Sequence, residues 1–133
     1  MKRILAIDND KAFLTAICRT LEYNNYKVAT LLNPLQTMDV LNREKYDCVL
    51  LDVAMPGING LELLKQIAEV YPLVPVIMVS GESSVSITAE AIRQGAYYFL
   101  EKPIETKQLL VTIRNAIENG TNSGKQNVEF NAR

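Results

Sequence analysis

Histidine is absent from this chain of 133 residues. Its absence removes Ser-His-Asp and Cys-His catalysis, histidine metal sites and any phosphohistidine carried by the chain itself. Cysteine is scarce. Cys18 and Cys48 sit in apolar stretches without metal-ligand spacing or a disulfide-rich frame, and are expected to be reduced core residues. Charge of one sign is lacking too: 14 basic and 15 acidic residues leave a net charge of −1, too small to hold nucleic acid or an anionic membrane unaided. Neither direct nucleic acid binding nor membrane attachment is expected. Only four apolar residues separate Arg3 from Asp8, too few for a signal-peptide core, and no run is long enough to span a bilayer. A cytoplasmic protein is expected. The sequon Asn119, Gly120, Thr121 then reads as coincidence in a loop.

What is present is a hydrophobic content of 48%, enough for the core of one compact domain. Short apolar runs alternate with amphipathic segments, the pattern of repeated strand-helix units around a parallel sheet. The expected strands are Arg3 to Ile7, Lys27 to Leu31, Cys48 to Leu51, Val76 to Val79 and Tyr98 to Leu100. "CVLL" and "VIMV" are apolar throughout, as strands covered on both faces should be.

Five helices fill the intervals. Phe13, Ile17 and Leu21, widened by Leu14 and Cys18, form the stripe of the first. Leu35, Met38 and Leu41 begin the second behind an Asn33 cap and Pro34 at the first helical position. Leu61, Leu64 and Ala68 mark the third, opened by Asn59 and closed before Pro72. Ile87, Ala91 and Ile92 mark the fourth, closed by Gly95, and Leu109, Ile113 and Ile117 the fifth. From Asn119 the chain turns polar, so residues 1–119 are expected to form the domain and 120–133, with Val128 and Phe130, a linker or frayed tail.

In such folds ligands bind at the carboxyl ends of the strands near the switch point. That rule selects Asp8, Asn9 and Asp10 after the first strand, Asp52 after the third, Ser80 after the fourth and Lys102 after the fifth. If strands one and three are neighbours, Asp8 and Asp52 converge, and two close carboxylates repel unless a cation lies between them. Magnesium, which takes one or two carboxylates plus waters and phosphate oxygens, is the natural occupant. Lys102 supplies a point charge for phosphate and the Ser80 hydroxyl a donor. Taken singly, these residues have blander readings: turn and cap formers for the acids, a solvated charge for Lys102, loop chemistry for Ser80 and a core aromatic for Phe99. Their coincidence at one sheet edge outweighs them.

"DND" after the first strand, "LLDVAMPGINGLELL", "VIMVSG" and "GAYYFLEKP" together resemble the receiver domain of two-component response regulators, over roughly residues 2 to 118. The resemblance implies a flavodoxin-like (βα)5 three-layer α/β sandwich with strand order 2-1-3-4-5. It implies Asp52 as phosphoacceptor from a sensor histidine kinase. Asp8, Asn9, Asp52 and the Ala54 carbonyl would hold Mg2+, Lys102 and Ser80 would contact the phosphoryl group, and Ser80 and Phe99 would act as the switch. A cis bond before Pro103 and a helix opened by Gly60 are implied likewise. So is a signalling face of the fourth helix, fifth strand and fifth helix, about Ser84 to Ile117, able to pair two copies, with Tyr97 and Tyr98 beside it. Such a chain is a phosphoacceptor that assists its own phosphotransfer and dephosphorylation, not a turnover enzyme. "AEAIRQGAYYFLEKPI" is similar to receivers of NtrC-class transcription activators, which implies an output in transcription.

One residue departs from the family pattern. Most receivers are acidic where this chain has Asn9, and an amide can ligate magnesium but brings no charge. Looser magnesium binding is expected, and Asp10 is read as the helix cap, not a substitute ligand. Two alternatives stand beside the receiver reading. One is a pseudo-receiver that keeps the fold but takes no phosphate, supported by Asn9. The other is an aspartate-based phosphatase of the haloacid dehalogenase type, which "ILAIDNDKA" also resembles; against it, Ala12 stands where Thr or Val is expected, no acidic pair follows Lys102, and there is no room for a cap domain.

Overall fold

The computed structural model describes residues 1–82 and 84–119. Residues 120–133, on which the linker expectation falls, lie outside the described residues. Five parallel strands form one sheet: β1 (Arg3–Ile7), β2 (Lys27–Leu31), β3 (Cys48–Asp52), β4 (Val76–Ser80) and β5 (Tyr98–Glu101). Their spatial order is β2-β1-β3-β4-β5, the 2-1-3-4-5 order expected. The helices are α1 (Lys11–Tyr23), α2 (Thr37–Arg43), α3 (Gly60–Val70), α4 (Val85–Arg93) and α5 (Thr106–Asn119). A two-residue ribbon, Ala54–Met55 against Ile58–Asn59, turns at Gly57 with φ +81°.

The apolar strands are explained by two cores. Side chains alternate across a strand. Leu5, Val49, Leu51, Val76 and Met78 therefore join Leu41, Leu63, Leu64, Ile67 and Ala91 on one face. Ile4, Ala6, Cys48, Leu50 and Ile77 join Leu14, Ile17, Leu21, Leu109, Ile113 and Ala116 on the other. Thus α1 and α5 cover one face, and α2, α3 and α4 the opposite one. Every residue of β3 and β4 is buried, including Asp52 and Ser80, which the sequence reading placed just beyond the strands. Cys48 is fully buried, and its thiol is pushed up to about 12 by desolvation; Cys18 is only half-buried.

The helix starts follow from local chemistry. The side chains of Asp10, Asn59 and Ser84 accept from the amides of Phe13, Leu61 and Ile87 and so cap α1, α3 and α4. The second helix begins later than expected. Asn33 caps a 3-10 turn, Pro34–Gln36, and α2 follows only from Thr37. The tighter turn rotates the stripe. Leu35 is 73% exposed, while Thr37 is buried with its hydroxyl donating to the Pro34 carbonyl at 2.7 Å. In α3 the buried positions are Gly60, Leu63, Leu64 and Ile67; Leu61 and Ala68 are half-buried.

Two helices end in the same hydrogen-bonded motif. At the end of α4, Ala96 N–H reaches the Ala91 carbonyl and Gly95 N–H the Ile92 carbonyl, with Gly95 at φ +110°. At the end of α1, Asn25 plays that part at φ 69°, so Tyr26 N–H meets the Leu21 carbonyl. An asparagine accepts this conformation because its short polar side chain tolerates it.

Candidate functional site

The carboxyl ends of β1, β3, β4 and β5 assemble the site. Asp8 follows β1 directly and is 2% exposed. Its Oδ1 accepts from the Asp10 amide at 2.9 Å, and its Oδ2 accepts from Lys102 Nζ at 2.7 Å. One oxygen holds the start of α1 and the other a lysine from the far side of the sheet. Asp10 in turn caps α1, its Oδ1 accepting from Phe13 N–H at 3.1 Å. Asn9 lies exposed between them.

Asp52 ends β3 in the middle of the sheet and is buried. Its carboxyl is pushed up from the ordinary value to about 6, first by desolvation and then by the negative charge of Asp8. Lys102 and a hydrogen bond from the Ala54 backbone oppose that rise without cancelling it. Two carboxylates and one ammonium leave this buried cluster short of positive charge. Among the described residues no group of three or more Asp, Glu, Cys or His converges to hold a metal. The oxygen groups that the chain carries next to this edge are the two carboxylates, the amide of Asn9, which follows Asp8, and the carbonyl of Ala54, two residues past Asp52. Such an all-oxygen set with only two charges suits magnesium, which keeps waters and phosphate oxygens in its shell.

Gly60 lies behind Asp52. A Cβ there would collide with the Asp52 carbonyl and stand 2.6 Å from that of Val53, while Gly60 N–H donates to Val53 at 3.0 Å. Only glycine lets α3 start this close to the turn that follows Asp52. Ser80, 2% exposed, is occupied within its own loop: Oγ donates to the Glu82 carbonyl at 2.6 Å and accepts from the Glu82 amide at 3.1 Å. Lys102 N–H donates to the Ser80 carbonyl at 2.8 Å, and the Lys102–Pro103 peptide is cis. Phe99, paired with Met78, is half-buried against the core beneath α3 and α4.

Asp8, Asp52 and Lys102 are thus brought into one electrostatic cluster, with Ser80 at the adjoining strand end. Asn9 stays on the exposed loop, and Phe99 lies lower on β5. Phe13, a member of the α1 stripe in the sequence, also belongs to the site: Lys102 Nζ lies 4.1 Å from its ring centroid. The Asp8–Asp10 contact had a signal in the Asp-x-Asp spacing, since an aspartate commonly bonds the backbone two residues on. Phe13 had none, because Lys102 is remote in sequence.

A family model for the response regulator receiver domain matches residues 4–114. This chain belongs to that family, and not to the phosphatases whose opening motif it shares. Its relatives bear out the likeness to NtrC-class receivers. The C4-dicarboxylate transport transcriptional regulatory protein DctD of Pseudomonas aeruginosa is 39% identical over 116 residues, 87% of this chain and 25% of that protein. The beryllofluoride-activated NtrC4 receiver domain, solved as a dimer, is 32% identical with a TM-score of 0.86 over 90% of this chain and 99% of that one. A CheY-like receiver from Methanospirillum hungatei is 28% identical, also at 0.86, over 90% of this chain and 96% of its own. The chain spans from 25% to 49% of the length of the first curated relatives. Among the described residues no helix is long and apolar enough to cross a membrane.

Proposed function

We propose that Asp52 accepts a phosphoryl group from the phosphohistidine of a sensor histidine kinase, and that the phosphorylated chain controls an output partner in cytoplasmic transcription. The observation that supports this best is the cluster of buried Asp8 and Asp52 with half-buried Lys102, in which desolvation and then the charge of Asp8 raise the Asp52 carboxyl to about 6. Asp8, Asn9, Asp52 and the Ala54 carbonyl would hold magnesium. Bound there, it supplies the positive charge that keeps Asp52 ionised and shields the phosphoryl oxygens.

A carboxylate oxygen of Asp52 attacks phosphorus, the P–N bond to the kinase imidazole breaks, and its electron pair returns to the ring. Lys102 donates to a phosphoryl oxygen while Asp8 holds it in place. Ser80 leaves Glu82 and turns its hydroxyl to another. Transfer of this kind needs positioning and charge neutralisation and little else, so a chain without histidine suffices.

The same movement carries the signal. Both bonds between Ser80 and Glu82 tie that hydroxyl to the loop before α4. Helix α4 buries only Ala91 completely, so its anchorage is weak. Ser80 turning toward Asp52 frees that loop, α4 shifts, and Phe99 changes rotamer into the space released. The face formed by α4, β5 and α5 thereby has two states, and a second copy or an output partner reads it. Val85, 89% exposed, and Tyr98, 46% exposed, are apolar contacts on that face, while Tyr97 packs into the core beneath α5.

Incubation with Mg2+ and a small acyl phosphate, followed by intact-mass measurement, tests the proposal. A mass gain of one phosphoryl group that is abolished by Asp52→Asn is expected. No gain in the unsubstituted chain would establish the pseudo-receiver reading that Asn9 supports.

A further inference from the structure

The geometry points to Phe13 as a positioning residue for phosphoryl transfer, one that seats the Lys102 ammonium on its ring face. This rests on the reading of Asp52 as phosphoacceptor. Four contacts close a circuit. Asp8 Oδ2 accepts from Lys102 Nζ, and Asp8 Oδ1 accepts from the Asp10 amide. The Asp10 side chain accepts from the Phe13 amide, and the Phe13 ring returns to Lys102 at 4.1 Å from Nζ. The carboxylate that holds the lysine therefore also sets the first turn of α1, and that turn brings the ring under the same ammonium.

The ring does what a polar partner could not. An ammonium has three donors, and here one is given to Asp8. A second carboxylate in the place of Phe13 would take another and add negative charge beside Asp52. The ring attracts the cation through its quadrupole and offers no lone pair. The ammonium keeps donor capacity for a phosphoryl oxygen, because the ring face competes as a conventional acceptor for none, and the long lysine side chain is held at Asp8 before the donor arrives. That ordering would otherwise have to be achieved during transfer. Phe13 and Lys102 also line an open cleft of about 460 Å³ with Pro103 and Ile104, so without the ring the ammonium would be held at the edge of that cleft by Asp8 alone.

Phe13→Leu keeps apolar bulk and removes the quadrupole, and Phe13→Tyr keeps both. The Asp52 phosphorylation rate at saturating acyl phosphate and Mg2+ is read by intact mass for the three proteins of 133 residues. The Lys102 ε-methylene protons are read by NMR, since a ring face shifts protons above it upfield. Phe13→Leu is expected to lose the upfield shift and to slow phosphorylation about tenfold at an unchanged half-saturating acyl phosphate concentration, with Phe13→Tyr restoring both. An unaltered rate in Phe13→Leu, or an equal loss in Phe13→Tyr, overturns the positioning role while phosphorylation of the unsubstituted chain stands. No mass gain in the unsubstituted chain overturns the phosphoacceptor reading itself, and the positioning role with it.

Discussion

Asp52 carries a cost to stability. An acid whose folded pKa lies above its unfolded one binds more protons in the native state between the two values, so raising the pH through that window destabilises the fold. With an ordinary value of 3.8 and a folded value of about 6, stability should be greatest below the lower figure, fall between them and level off above. Urea unfolding as a function of pH checks this. Asp52→Asn removes the decline and should gain on the order of 1 kcal/mol at pH 7.5, the full shift being discounted for solvent screening. Added magnesium should recover stability in the unsubstituted chain at that pH and act weakly on Asp52→Asn. Asn9 permits a second prediction. Asn9→Asp adds a charge to the donor set and should tighten magnesium binding about tenfold, measured by tyrosine fluorescence titration. Equal affinities would show that the exposed loop holds residue 9 away from the ion.

At the scale of elements, α4 is the one held least firmly. It buries a single residue completely, Ala91, whereas α3 buries Gly60, Leu63, Leu64 and Ile67. Its integrity rests heavily on its ends, the Ser84 cap and the Gly95 turn. Ser84→Ala should cost about 1 kcal/mol of global stability. Amide exchange in α4 should accelerate more than in α1 or α3, because weakly packed elements open locally. An equal effect in all three helices would mean that α4 opens only with the whole fold. Helix α3 is held more firmly, and its first residue, Gly60, lies against the backbone of Asp52 and Val53. A larger side chain there moves the strand that ends in Asp52, or the helix, with no third option.

For the whole molecule, the two cores divide the labour. Helices α1 and α5 close over one face, with Phe13 on α1 reaching Lys102 at the end of β5, and α2 to α4 close over the other. Val85 and Tyr98 on the face formed by α4, β5 and α5 are apolar and exposed, so a second copy can bury them. Sedimentation of the chain treated with acyl phosphate and Mg2+ should show dimers that Tyr98→Lys and Asp52→Asn each suppress. A monomer under all conditions would leave the face to a different partner.

Much of this architecture was legible before any coordinates. Unbroken apolar strands, helical stripes between them and polar residues at the strand ends determined the number of layers and the sheet edge at which Asp8, Asp52, Ser80 and Lys102 lie. Those features are local, repeating at two or 3.6 residues, and a periodicity can be read without knowing what it packs against. Tertiary structure alone decided the rest. It tightened the chain at Pro34 so that Thr37 and not Leu35 faces inward, engaged Ser80 with Glu82, and laid the ammonium of Lys102 on Phe13. It also drew two acids of separate strands into one buried cluster, raising the carboxyl of Asp52. Burial and charge proximity depend on the distances between residues far apart in the chain, and those exist only once the sheet has closed.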